Sequence, residues 1–166
     1  MKKLALIIIP LFSIGCGGGG SSSGGGTAAT GTYGGTATIT MSVPGVASET
    51  ATGAMGIEVR ADGTVALIPA MTGFSGSAGL NGNSFTIDVP ASQMNEPGLM
   101  CQGTIRFAGT IAGNTITGRV AGLNFRCNGV PFTLTGTYTL QRTGPARALS
   151  GSTLGNSIRE AISTMR

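Results

Sequence analysis

Between Thr32 and Arg142, threonine and apolar residues take alternate positions along the chain. In TYGGTATITMSV, Ala37, Ile39, Met41 and Val43 share one phase, and Thr36, Thr38 and Thr40 share the other. In VPFTLTGTYTLQR, Phe132, Leu134, Gly136, Tyr138 and Leu140 alternate with Thr133, Thr135, Thr137 and Thr139. Successive side chains of a strand point to opposite faces, so a period of two predicts strands with one buried and one hydrated face. Threonine suits the hydrated face, because its branched Cβ fits a pleated surface and its hydroxyl meets water. The pattern predicts eight strands, at about 32–43, 53–61, 64–70, 73–81, 84–90, 99–112, 115–127 and 130–142.

Asp62-Gly63, Gly82-Asn83, Gly113-Asn114 and Asn128-Gly129 are two-residue turn signals. Folding the chain about the last three brings inward residues together. Leu80 meets Phe85 and Ala78 meets Ile87; Ile111 meets Ile116 and Phe107 meets Val120; Phe125 meets Phe132 and Leu123 meets Leu134. The apolar phase of 116–127 slips at Ala121-Gly122, passing from Ile116, Gly118 and Val120 to Leu123 and Phe125. One extra residue moves every later side chain to the other face, so the slip predicts a β-bulge. With the bulge in place Cys101 lies opposite Cys127; without it Cys101 would face Arg126. A Cys101–Cys127 disulfide is therefore expected. A zinc site is the competing use of these thiols, but the chain has no histidine and two thiolates are an incomplete ligand set. The inward glycines also find large partners, Gly103 opposite Phe125 and Gly118 opposite Tyr138, as in a tapered barrel interior.

The predicted fold is all-β, an eight-stranded antiparallel up-and-down barrel, with a small β-sandwich as the alternative. Closure into a barrel removes the exposed edges of the sheet. The tight turns at 62–63, 82–83 and 113–114 fall at one end. The longer connections at 44–52, 71–72 and 91–98 fall at the other. After Gly144-Pro145, Leu154, Ile158, Ile162 and Met165 recur at helical spacing, and Ser157 with Glu160 forms a candidate capping box. The region 144–166 is thus read as a tail with a short amphipathic helix. It would rest on the outer face of VALIPAM, with Val65 and Leu67 pointing out and Ala66 and Ile68 pointing in.

The N-terminus has a different character. Met1-Lys2-Lys3 is a basic start, Leu4 to Phe12 is apolar, and Cys16 precedes a run of glycine and serine. Nine helical residues rise about 14 Å, short of the roughly 30 Å hydrocarbon core, so a secretion signal fits better than a membrane span. Ile14-Gly15-Cys16 after this segment resembles the lipobox of bacterial lipoprotein precursors, with Ser13 where leucine is usual. The resemblance implies cleavage after Gly15, a signal peptide at 1–15, and a lipidated Cys16 heading a flexible tether over 16–31. Two or more acyl chains are what stable anchoring requires. The tether has a root-mean-square reach of roughly 20 Å. In a Gram-negative host, Gly17 in place of aspartate implies the outer membrane. The domain at 32–143 is similar in architecture to lipocalin-like, calycin-type barrels. The glycine-x-tryptophan signature of true lipocalins is absent, since Gly31-Thr32 is followed by Tyr33, and ligand assignments from that family do not carry over.

Composition narrows the function. A chain with thirty glycines and a tenth of its residues charged does not make a helical bundle. Removing Lys2 and Lys3 leaves eight arginines against six acids, too mild a balance for nucleic acid, and no aromatic residues interleave with the basic ones. The lack of histidine excludes an imidazole base or a His-dependent triad. The acids are dispersed, with Glu58 and Asp88 on outward phases, Asp62 in a turn, and Glu49 and Glu96 in expected loops, so no catalytic carboxylate pair forms. The glycine run at 17–20 has no lysine after it and is not a phosphate loop. The reading is a non-enzyme without metal or cofactor. Candidate contact residues are Met94, Asn95, Glu96, Leu99 and Met100 in a long loop, and Arg106, Arg119 and Arg126 on the outward faces of neighbouring strands. Two roles follow: contact with an envelope protein or polymer through the loops or outer face, or carriage of a small apolar ligand inside the barrel. In either, the membrane is met through the lipid anchor.

Overall fold

The computed structural model describes residues 30–143 and 151–165. Eight antiparallel strands form a nearly closed barrel. They are β1 (Gly31–Val43), β2 (Ala47–Val59), β3 (Thr64–Leu67), β4 (Ser77–Gly79), β5 (Ser84–Pro90), β6 (Cys101–Ala112), β7 (Thr115–Cys127), and a last strand broken at Phe132 into β8 (Val130–Pro131) and β9 (Thr133–Thr143). Around the barrel the order is β4-β3-β2-β1-β9-β7-β6-β5. β4 and β5 close the circle through the Gly82-Asn83 turn, held by a bridge between Asn81 and Ser84 rather than by a continuous ladder.

The alternating strands bury the phase the sequence assigns to the core. Ala37, Ile39, Met41, Leu134, Tyr138 and Leu140 are buried, while Thr36, Thr38, Thr40, Thr133, Thr135, Thr137 and Thr139 are exposed. Ile111 pairs with Ile116, Phe107 with Val120 and Gly118 with Tyr138, as the turns require. Phe125 and Phe132 pack with ring centroids 6.1 Å apart. Cys101 and Cys127 are opposite each other and joined as a disulfide.

The bulge is displaced from its expected position. The register shifts between Gln102 and Thr104 of β6, opposite residues 124–125 of β7. Gly103 (φ 99°) and Asn124 (φ 51°) both take positive φ there. Asparagine tolerates that conformation far better than alanine or leucine, so the extra residue settles at Asn124 and not at Ala121-Gly122. The consequence is that Gly122 faces Leu134 and Phe125, and Leu123, expected inside, is exposed.

Three other expectations are corrected. The connection over 44–52 is only the turn at 44–46, because β2 already pairs with β1 from Ala47 onward. β3 has the opposite phase: Val65 and Leu67 are in the core, paired with Val59 and Ile57. VALIP is apolar throughout, so alternation could not fix its phase, and pairing with β2 does. The strands expected to meet near 71–72 are shorter; between them lie α1 (Pro69–Thr72) and an irregular segment that sends Phe74 into the core, 5.9 Å from Phe107.

Short β3 and β4 leave a gap between β2 and the segment after β5, and α2 (Leu154–Thr164) fills it. Ala54 N–H donates to Ser152 O at 2.8 Å, and Ser157 Oγ donates to Thr52 O at 3.0 Å. On the other side Arg159 donates to the carbonyls of Gln93 (3.2 Å) and Met94 (3.1 Å), at the end of a 3-10 turn over Ala91–Met94. Leu154, Ile158 and Ile162 are buried in the main core. The helix therefore completes the wall instead of lying on the outer face of β3. Its N-cap is Thr153, whose hydroxyl accepts from Asn156 N–H, and Ser157 is buried within the helix.

Candidate functional site

The barrel interior is filled. Tyr33, Met41, Met55, Phe74, Met94 and Phe107 are all fully buried within one apolar cluster. The small inward residues leave no open space. A Cβ on Gly76 would lie 2.9 Å from Ile87 Cγ2, and one on Gly109 would lie 2.5 Å from Tyr138 Oη and 2.6 Å from Phe85 Cζ. Tyr138 Oη donates to Ala108 O at 3.0 Å, and burial pushes its phenol above the usual range.

The tight turns gather at one end. Leu80 N–H donates to Gly63 O, Ile111 N–H to Asn83 O, and Arg142 N–H to Asn114 O, at 2.7–2.8 Å. Tyr33 Oη donates to Gly113 O there, so β1 begins at this end. The other end carries the disulfide and three exposed apolar side chains, Val46, Met100 and Val130.

The loop after β5 is mostly structural. Met94 and Leu99, expected to be available for contact, are buried in the core. Asn95 is exposed, but its Oδ1 accepts the Cys101 N–H at 2.6 Å. Asn128 straps the same loop, accepting from Met100 N–H and donating to Gly98 O, each at 2.8 Å. Glu96 lies 3.8 Å from Arg159. Of the five loop candidates, Met100 is held by Asn128 through its backbone, and its exposed side chain is the one left without a bond or ion pair of its own. An alternating pattern cannot distinguish a loop residue that caps a core from one that faces a partner.

The outer face is more distinctive. Strand pairing places Thr52, Thr38, Thr137, Arg119, Ala108 and Thr86 in one row across β2, β1, β9, β7, β6 and β5. Adjoining rows carry Thr50, Thr40 and Thr135 on one side and Thr36, Thr139, Thr117, Thr110 and Ser84 on the other. Neighbouring hydroxyls bond at 3.2 Å (Thr38 with Thr52), 3.3 Å (Thr40 with Thr50) and 3.4 Å (Ser84 with Thr110). Where Ala108 and the Gly109–Gly118 pair lower the surface, the face dips into an open depression of about 560 Å³. Arg119 and six serine and threonine side chains line it, with the buried Phe85 and Tyr138 beneath them. A second depression, about 250 Å³, lies between β2 and α2 beside Glu49 and Glu160.

No family model, curated protein or solved structure matches this chain. Its own geometry must therefore carry the functional reading. The three outward arginines are not equivalent. Arg106 donates two 2.7 Å hydrogen bonds to Asp88, which hold the Asp88 carboxyl below its ordinary range. Arg126 is exposed beside the disulfide, outside both depressions. Arg119 has no hydrogen-bond or ion-pair partner among the described residues and lines the larger depression. Sequence reasoning named Arg119 but missed the hydroxyls around it. Their signal was the threonine phase itself, read there only as a hydrated face. Cys16 lies outside the described residues, and among those residues no three His, Cys, Asp or Glu side chains come together to hold a metal.

Proposed function

We propose that this protein is a lipid-anchored component of the cell envelope that acts without catalysis, contacting an envelope polymer or protein through its outer face. The observation that carries this is the filled barrel. A carrier of an apolar ligand needs an internal void, and Phe74, Phe107, Met55 and Tyr33 occupy that space. What remains for recognition is the surface, where the hydroxyl rows and Arg119 provide polar groups in a fixed arrangement. The lipobox-like Ile14-Gly15-Cys16 supports anchoring at Cys16. Because β1 starts at the tight-turn end, a tether there leaves the loop end pointing away from the membrane and the strands' outer face open on the sides.

Mass spectrometry of the mature protein and fractionation of cells test the anchor together. Acyl chains on Cys16, with Cys16→Ser moving the protein from membrane to soluble fractions, are the expected result. An uncut, unmodified N-terminus would remove the basis for an envelope role.

A further inference from the structure

We infer that the depression around Arg119 is a binding site for an anionic glycan, a hydroxylated sugar chain bearing carboxylate or phosphate groups. This rests on the outer face being the contact surface, and it names what that surface holds. The first support is an uncompensated charge. Arg119 has no partner among the described residues, and no carboxylate lines the depression. Arg106, one strand away, is held by Asp88 in two bonds. A guanidinium presents a planar fork that matches a carboxylate or phosphate with two parallel hydrogen bonds.

The second support is the wall. Thr86, Thr117, Thr137 and Thr139 are exposed around Arg119, and none of the four hydroxyls bonds another group of the described residues. Each hydroxyl both donates and accepts, as the hydroxyls of a sugar do. Their positions are constrained, since strands fix the backbone and β-branching restricts χ1. Neighbouring strands lie about 4.8 Å apart, so these groups form a close grid instead of isolated contacts.

The third support concerns what is missing from the wall. Every described phenylalanine and tyrosine is buried. Phe85 and Tyr138 border the depression but are only 4% and 3% exposed, too little to offer a neutral sugar ring a face to stack on. Attraction to Arg119 therefore has to supply the orientation. An open, hydrated depression of this kind suits a polymer held at repeated sites better than a single enclosed ligand.

The full chain in detergent, titrated calorimetrically with hexameric oligogalacturonate, tests this. Binding that weakens with salt, falls about tenfold or more in Arg119→Ala, and falls less in Arg119→Lys is the expected result. Arg106→Ala, which removes the same charge outside the depression, should leave affinity within about twofold. Equal binding of the methyl-esterified oligomer would overturn the role of the anion. Equal binding of a polyaspartate peptide, or full competition by inorganic phosphate at matched charge, would overturn the role of the glycan. Photo-crosslinkers on the outer face in cells separate the two levels of the reading. If the oligouronate does not bind but an envelope polymer or protein is still captured, the Arg119 site falls and the surface-contact reading stands. If neither occurs, both fall.

Discussion

Gly109 and Gly118 face each other across β6 and β7 and make room for one tyrosine. A Cβ on Gly118 would run into the Tyr138 ring. Neither glycine has positive φ, so backbone freedom is not the reason for them. In an unobstructed strand, glycine to alanine stabilises by about 0.4–1 kcal/mol through the unfolded chain. Here the sign should reverse, with Gly118→Ala costing about 1–3 kcal/mol through overpacking. Urea unfolding measures it, and a stabilised Gly118→Ala variant would show that the tyrosine is not fixed there. Part of the loss should return when Tyr138→Leu is added. The pairing of Gly118 with Tyr138 was legible from turn position and phase alone. The depression formed on the reverse side of the same glycines was not, because it depends on which neighbouring outward residue is small, namely Ala108.

Elements were legible where the two faces differ in chemistry. β1, β5, β6, β7 and β9 carry apolar residues on one phase and mainly polar or small ones on the other, and their registers follow. β2 was half lost, because its inward positions Glu49, Ala51 and Gly53 are small or polar, although Ser48, Thr50 and Thr52 already kept the hydroxyl phase. β3 was read in the wrong phase because both of its faces are apolar. The bulge was detected by its effect on phase but placed at the glycine, whereas the backbone put it at the asparagine. The Cys101–Cys127 pair survives that shift, since either position adds one residue before Cys127. The disulfide closes a loop with a sequence separation of 26 and pins the end of the barrel where the β5–β6 loop is strapped. Replacing both cysteines with alanine should cost about 2–4 kcal/mol. Denaturant midpoints with and without reductant check this in the wild type, and reduction should leave the double variant's midpoint unchanged. Equal midpoints in reduced and oxidised wild type would deny the bond any structural role.

For the molecule as a whole, the question is whether α2 decorates a finished barrel or completes one. An eleven-residue helix is marginal in water by itself, so its order must come from packing. It packs where the sheet is incomplete: beyond the end of β3, the edge of β2 meets Ser152 and Ser157, and Arg159 reaches across to the carbonyls of Gln93 and Met94. Ile158 and Ile162 then belong to the same core as Met55 and Phe74. Truncating either to alanine should cost about 2–5 kcal/mol, as for any buried large-to-small change. If the helix completes the wall, Ile162→Ala should lower stability by that amount while unfolding remains a single transition. Far-ultraviolet circular dichroism and tyrosine fluorescence should then give coincident midpoints. An accessory helix would behave differently, with a small loss and an early transition confined to the helical signal. The distinction bears on the proposed contact surface. A barrel whose wall is completed by this helix would have to lose the core packing of Ile158 and Ile162 before an apolar ligand could enter, which favours the outer face over the interior.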